Sequence, residues 1–225
     1  MEEKKEREKN EPSLADRFDM IVKSGSTRLT LGGHVCQAVC IAGQIEGHML
    51  AEQGQKVTKY EHLLPFLGAL EACTEVEGVL FLLNTPGGDV EAGLAIAEMI
   101  ASMKKRTVSL VLGGGHSIGI PLAVAAKTSL IVPSATMTLH PVRTSGMVIT
   151  SPQAFDYLIR MQDRILDFLA AHSSADREDL HRRMMRTDQM ANDIGSVLTG
   201  KEAVECGLID RVGGLADALA ALIQA

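Results

Sequence analysis

The chain has 225 residues, 46% of them hydrophobic and 22% charged, with a formal net charge of −6. That length suits one domain with a substantial core, and the acidic balance gives no electrostatic argument for nucleic-acid binding. No apolar run approaches the ~18–20 residues of a membrane span; IGIPLAVAA, the longest, stops at Lys127.

The first residues, MEEKKEREKNEPS, are charged and polar, without the apolar segment of a secretory signal. They predict a cytoplasmic protein with a disordered charged arm over 1–16 and a single domain over 17–225. Cys36, Cys40, Cys73 and Cys206 are too sparse for a disulfide scaffold. No second ligand pair follows Cys36 and Cys40 at a zinc spacing, so these thiols are expected to be buried and reduced.

HVCQAVCIAGQI (34–45) reads as a strand ending at Gly43, and TKYEHLLPFLGALEAC (58–73) as a helix in which Pro65 needs an early position or a kink. GVLFLLN (78–84) is a continuous apolar run, the pattern of a strand buried on both faces. DVEAGLAIAEMIASMKK (89–105) is a helix with Asp89 as N-cap and basic residues at its negative end. TVSLVLG (107–113) predicts a strand, SIGIPLAVAAK (117–127) a helix, and SLIVP (129–133) and TMTLHP (136–141) short strands. Helices follow at 151–173, opened by Ser-Pro, and at 175–187. SVLTG, KEAVECGLID (201–210) and GLADALAALIQA (214–225) close the chain. Strands alternating with helices define an α/β protein with largely parallel pairing.

Two glycine turns stand at strand-to-helix junctions. NTPGGDV (84–90) follows the buried strand and opens a helix. Its backbone N–H groups could hold a phosphate or an oxyanion, or the turn could be a plain cap. The lysine of a phosphate-binding loop and the GxGxxG pattern are both missing. GHSIG (115–119) fits G-x-S-x-G between an apolar strand and an apolar helix, the setting that exposes a serine Oγ at an elbow. A serine nucleophile needs a base. His116 adjoins it in sequence, and chain neighbours seldom point at one another. His140 ends the strand TMTLH, where an imidazole can face a cleft, or where it can be a satisfied structural residue.

NTPGGDVEAGLAIAEMI, GGGHSIGIPLAVAAKTSLIVPSATMTLHPVR and LTGKEAVECGLIDRVGG, in this order over about residues 38–213, resemble the ClpP serine protease family. GQIEGH (43–48), TKYEH (58–62), GGDVEAGLAIAEM (87–99), GGGHSIG and ATMTLHPVR (135–143) are similar to its translocation-enhancing, TepA-like branch. The resemblance implies the ClpP/crotonase-like spiral of β-β-α units and hydrolysis of peptide bonds without a cofactor or metal. It implies Ser117 as nucleophile, His140 as general base, and the Gly88 and Ile118 amides as oxyanion hole. The family's aspartate lies in an Arg-Asp-Thr segment ahead of the tail. The region here reads MMRTDQMANDIGSVLTG, in which a gapless match lands on Ala191, flanked by Asp188 and Asp193. The Asp-Ile-Gly step favours Asp193, with Asp188 as the alternative. Crotonases share the fold, but carboxylates are their usual bases and a serine elbow is not their mark.

The expected substrate is a peptide or unfolded polypeptide, with a link to protein translocation or signal-peptide clearance. A catalytically weak or inactive scaffold that supports secretion through partner binding is the alternative. The resemblance also implies a ring-like homo-oligomer and an ATP-dependent unfoldase. The charged arm at 1–16, which stands where the family has an apolar segment, argues against standard docking to such an unfoldase.

Overall fold

The computed structural model describes residue 18 and residues 21–144, 151–190 and 193–224. The expected arm at 1–16 lies outside the described residues. The strands are β1 (Ser26–Leu31), β2 (His34–Ala42), β3 (Gln44–Glu46), β4 (Val57–Lys59), β5 (Gly78–Thr85), β6 (Arg106–Gly115), β7 (Thr128–Ile131), β8 (Thr136–Leu139), β9 (Ser196–Thr199) and β10 (Arg211–Val212). The helices are α1 (Tyr60–Ala72), α2 (Val90–Ser102), α3 (Gly119–Val124), α4 (Pro152–Ala171), α5 (Arg177–Met184), α6 (Gly200–Glu205) and α7 (Leu215–Ile223).

The main sheet runs β1-β2-β5-β6-β7-β10, with β8 pairing β6 and β9. Pairing from β2 through β10 is parallel, and β1 adds antiparallel to β2. This is the expected α/β arrangement of strand–helix units. Successive residues point to opposite faces. Val79, Phe81 and Leu83 therefore enter the large core under α1 to α4, while Leu80 joins Cys36, Val108 and Leu110 beneath Ala218 and Leu222 of α7.

Local chemistry sets the helix starts. Asp89 accepts the Ala92 N–H at 2.8 Å, Ser151 the Ala154 N–H at 3.2 Å, and Asp176 the Asp179 N–H at 2.9 Å. The tail motif is structural in its outer parts. Thr199 and Glu202 form a capping box for α6. Asp210 accepts both the N–H and the hydroxyl of Ser129, at 2.7 and 3.0 Å, and so fastens the tail to β7.

Several expectations need correction. The helix expected over 117–127 is only Gly119–Val124. Of the two alternatives for Pro65, the early position is excluded, since it lies inside α1 past the first turn. Cys36 is buried but Cys40 is exposed, and Cys73 and Cys206 are half-buried; all four are free thiols. The α7 cluster reaches Cys36 and Ala38 on that face and does not include Cys40. Among the described residues no helix is long and apolar enough to cross a membrane.

Candidate active site

Both glycine turns leave the same ends of adjacent parallel strands, β5 and β6, whose pairing slips in register between Leu83 and Thr85 so that Thr85 faces Gly115. Ser117 sits at the β6–α3 elbow with φ +56°, the one non-glycine in the left-handed region among the described residues. That conformation costs an L-residue roughly 1–2 kcal/mol, so neighbouring bonds must hold it. Ser117 N–H donates to the Thr138 carbonyl at 2.8 Å, and His116 N–H to the Thr85 carbonyl at 3.1 Å.

The 84–90 turn is pinned from two sides. Ile45 of β3 donates to the Gly87 carbonyl at 2.8 Å and accepts from the Asp89 N–H at 3.0 Å. With both flanking groups committed to β3, the Gly88 N–H faces away from it. The Thr85 hydroxyl accepts the Gly87 N–H at 3.0 Å. A Cβ on Gly87 would come within 2.7 Å of the Ser117 Cβ, so the turn packs directly on the serine. The Gly88 and Ile118 N–H groups and the Ser117 Oγ make no hydrogen bond to the described residues.

His140 follows β8 directly and is half-buried. Its Nδ1 lies 2.7 Å from the Pro141 carbonyl. A carbonyl only accepts, so Nδ1 carries the proton and Nε2 of the neutral ring is an acceptor. Burial holds this imidazole below the ordinary histidine range. The Arg143 guanidinium adds to that, while the bond to Pro141 and the Asp193 carboxylate oppose it. His116 is held low by burial and by His140.

The structure brings Ser117, Gly87 and Thr138 into contact and sets His140 at the end of the strand that binds the elbow. It does not hydrogen-bond either aspartate to His140. Asp193 is paired with Arg143, and its Oδ1 accepts the Ile194 N–H at 2.8 Å. Asp188 is held by two bonds from Arg186, at 2.9 and 2.7 Å. The turn carrying Asp193 nevertheless lies against His140, since a Cβ on Gly195 would meet the His140 Cβ at 2.9 Å.

Motif reading did not single out Ile45, Thr85 or Thr138. Ile45 acts through backbone atoms, for which residue type leaves no signature, and the threonines combine a carbonyl with a hydroxyl bond in a way no motif marks. A groove of about 470 Å³ between α2 and α4, lined among others by Glu91, Arg164 and Phe168, includes none of the residues above. Among the described residues no group of three or more His, Cys, Asp or Glu side chains is placed to hold a metal.

A strained serine elbow beside a glycine turn on a parallel α/β sheet is an arrangement that exposes a hydroxyl at a strand-to-helix junction. Residues 34–215 match the Clp protease family, and the chain belongs to that family. It is 52% identical over 186 residues to translocation-enhancing protein TepA of Halalkalibacterium halodurans, a match covering 83% of this chain and 73% of that one. It is 28% identical over 153 residues to the ATP-dependent Clp protease proteolytic subunit of Lactococcus lactis subsp. cremoris, covering 64% of this chain and 71% of that one. Its fold is similar to that of a ClpP1 mutant from Listeria monocytogenes, with TM-score 0.64 and 23% identity over 81% of this chain and 94% of that one.

Proposed function

We propose that this protein is a ClpP-type serine endopeptidase. The observation that carries the reading is the strained Ser117 elbow packed on the Gly87–Gly88 turn, with the Gly88 and Ile118 N–H groups uncommitted. Ser117 Oγ attacks the peptide carbonyl carbon, and Nε2 of His140 takes its proton. The developing oxyanion accepts from the Gly88 and Ile118 N–H groups, donors fixed before the reaction. His140 then returns the proton to the departing amine, and water, activated by the same imidazole, hydrolyses the acyl-enzyme. Asp193 is the orienting carboxylate in this reading, once released from Arg143, with Asp188 as the alternative. Until then the Pro141 carbonyl keeps the required tautomer. No metal or nucleotide takes part.

The substrate is a peptide or unfolded polypeptide. Similarity to a translocation-enhancing protein supports a role in translocation or in clearance of signal peptides. A ring-like homo-oligomer in the cytoplasm is the working form, with an ATP-dependent unfoldase as an optional partner and with no role for nucleic acid. A second reading, a secretion scaffold without catalysis, draws on two observations. No hydrogen bond joins Ser117 to His140, and arginines hold both aspartates.

Intact-mass analysis after fluorophosphonate treatment separates the two. Peptidase chemistry gives a single adduct on wild type that is lost in Ser117→Ala, strongly slowed in His140→Ala, and slowed in Asp193→Asn but not in Asp188→Asn. An unmodified, folded wild type in its oligomeric form favours the scaffold.

A further inference from the structure

Three glycines precede His116, and the structure gives each a separate neighbour. A Cβ on Gly113 would strike the Asn84 carboxamide, whose Oδ1 accepts the Gly114 N–H at 2.9 Å. A Cβ on Gly115 would press on Met137 and Val111, at 3.2 Å each. A Cβ on Gly114 would run into the His116 ring itself. The backbone is thus bare at 114 where the imidazole folds back over it, and the ring fills the slot. From there its Nδ1 meets the Thr138 hydroxyl at 2.9 Å.

Thr138 is therefore bound twice by the elbow, through its carbonyl to the Ser117 N–H and through its hydroxyl to the His116 ring. It lies two residues before His140, and side chains two apart along a strand share a face. The His116 ring is accordingly a neighbour of the base, consistent with the part His140 plays in holding the His116 imidazole low. Of the bonds that hold Ser117 in its left-handed conformation, the backbone ones would form with any residue at 116. The side-chain bond needs a planar group with an acceptor or donor at the Nδ1 position.

We infer that His116 is a positioning residue. Its ring clamps the serine elbow to the strand that carries the base, and so fixes Ser117 relative to His140. This rests on the peptidase reading for its effect on rate, but the clamp itself is a property of the fold.

The test uses the full-length protein with His116→Leu, His116→Asn, Thr138→Val and the His116→Leu/Thr138→Val double variant. Fluorophosphonate acylation rate and hydrogen exchange of the Ser117 amide are measured on each. The clamp predicts acylation slowed at least about tenfold in His116→Leu and in Thr138→Val, and no further slowing in the double variant, because both remove one interaction. It predicts rescue to near the wild-type rate by His116→Asn, whose amide can reach the same hydroxyl. Ser117 amide exchange should be faster by a similar factor in the Leu and Val variants and unchanged in the Asn variant. Wild-type acylation and exchange in His116→Leu, or losses in the two single variants that multiply in the double, would overturn it. If wild type itself fails to react, the peptidase reading falls and amide exchange still decides the clamp. Equal melting temperatures for the Leu and Asn variants would separate positioning from folding.

Discussion

The Thr85 hydroxyl accepts the Gly87 N–H at 3.0 Å, while the Thr85 carbonyl accepts the His116 N–H at 3.1 Å. One buried residue thus holds the 84–90 turn with its side chain and the serine elbow with its backbone. Thr85→Val keeps the shape and leaves the buried Gly87 N–H unpaired, at a cost of ~1–3 kcal/mol. Urea denaturation should show that loss. Acylation of Ser117 should fall by more than the unfolded fraction explains.

Gly87 and Gly88 have φ of +96° and +152°, where an L-residue is strained. A Cβ at 87 would meet the Ser117 Cβ at 2.7 Å and the His116 carbonyl at 2.9 Å, and one at 88 would strike the Ile45 carbonyl. Gly88→Ala should displace the turn from β3 and reduce acylation about a hundredfold or more, the scale of one lost oxyanion donor. Gly87→Ala should abolish it by pushing on the nucleophile itself. Circular dichroism should remain that of a folded α/β protein in both.

Burial and Arg143 hold His140 below the ordinary value of 6.5. In the proposed mechanism His140 must be neutral to act, so the rising limb of acylation against pH should lie below pH 6.5. The same shift enters stability. Between the folded and unfolded pKa values the unfolded chain binds more protons. The contribution of His140 is therefore complete above about pH 6.5 and lost as pH falls through the lower folded value, and His116 adds in the same sense. Denaturation midpoints should decline over that window, and less so in His140→Gln.

Arg143 and Asp193 act on His140 with opposite sign, Arg143 lowering and Asp193 raising its pKa. Arg143→Gln should move the rising limb of the pH profile upward, and should also release Asp193 toward the imidazole. Asp193→Asn should move it downward. Parallel shifts in the two variants would show that the pair does not reach the base. Acylation-rate profiles from pH 4 to 8 check this.

Much of the sheet was legible because its central strands are rich in apolar residues between turn signals: GVLFLLN at 78–84 is nearly continuous, and TVSLVLG at 107–113 is broken only by Ser109. The elbow and the glycine turn were legible because only glycine takes the positive φ at 87 and 88. β3 and β4 are three residues each, too short for a period to show. β1, of sequence STRLTL, is a half-exposed edge without a continuous apolar run. The helix after the elbow read too long because AVAAK is apolar whether it coils or turns. The orienting carboxylate was the hardest part. Its place depends on which arginine each aspartate meets, Arg143 for Asp193 and Arg186 for Asp188, and sequence spacing does not encode that.

The strand that precedes His140 pairs with β6 only at Gly114–Thr136, whereas all four of its residues pair with β9, Thr136 with Thr199 through Leu139 with Ser196. During synthesis the serine elbow therefore leaves the ribosome some eighty residues before the segment that completes the pairing of β8. A chain that has not yet reached residue 196 therefore holds Ser117 and His140 while the strand between them still lacks its β9 partner.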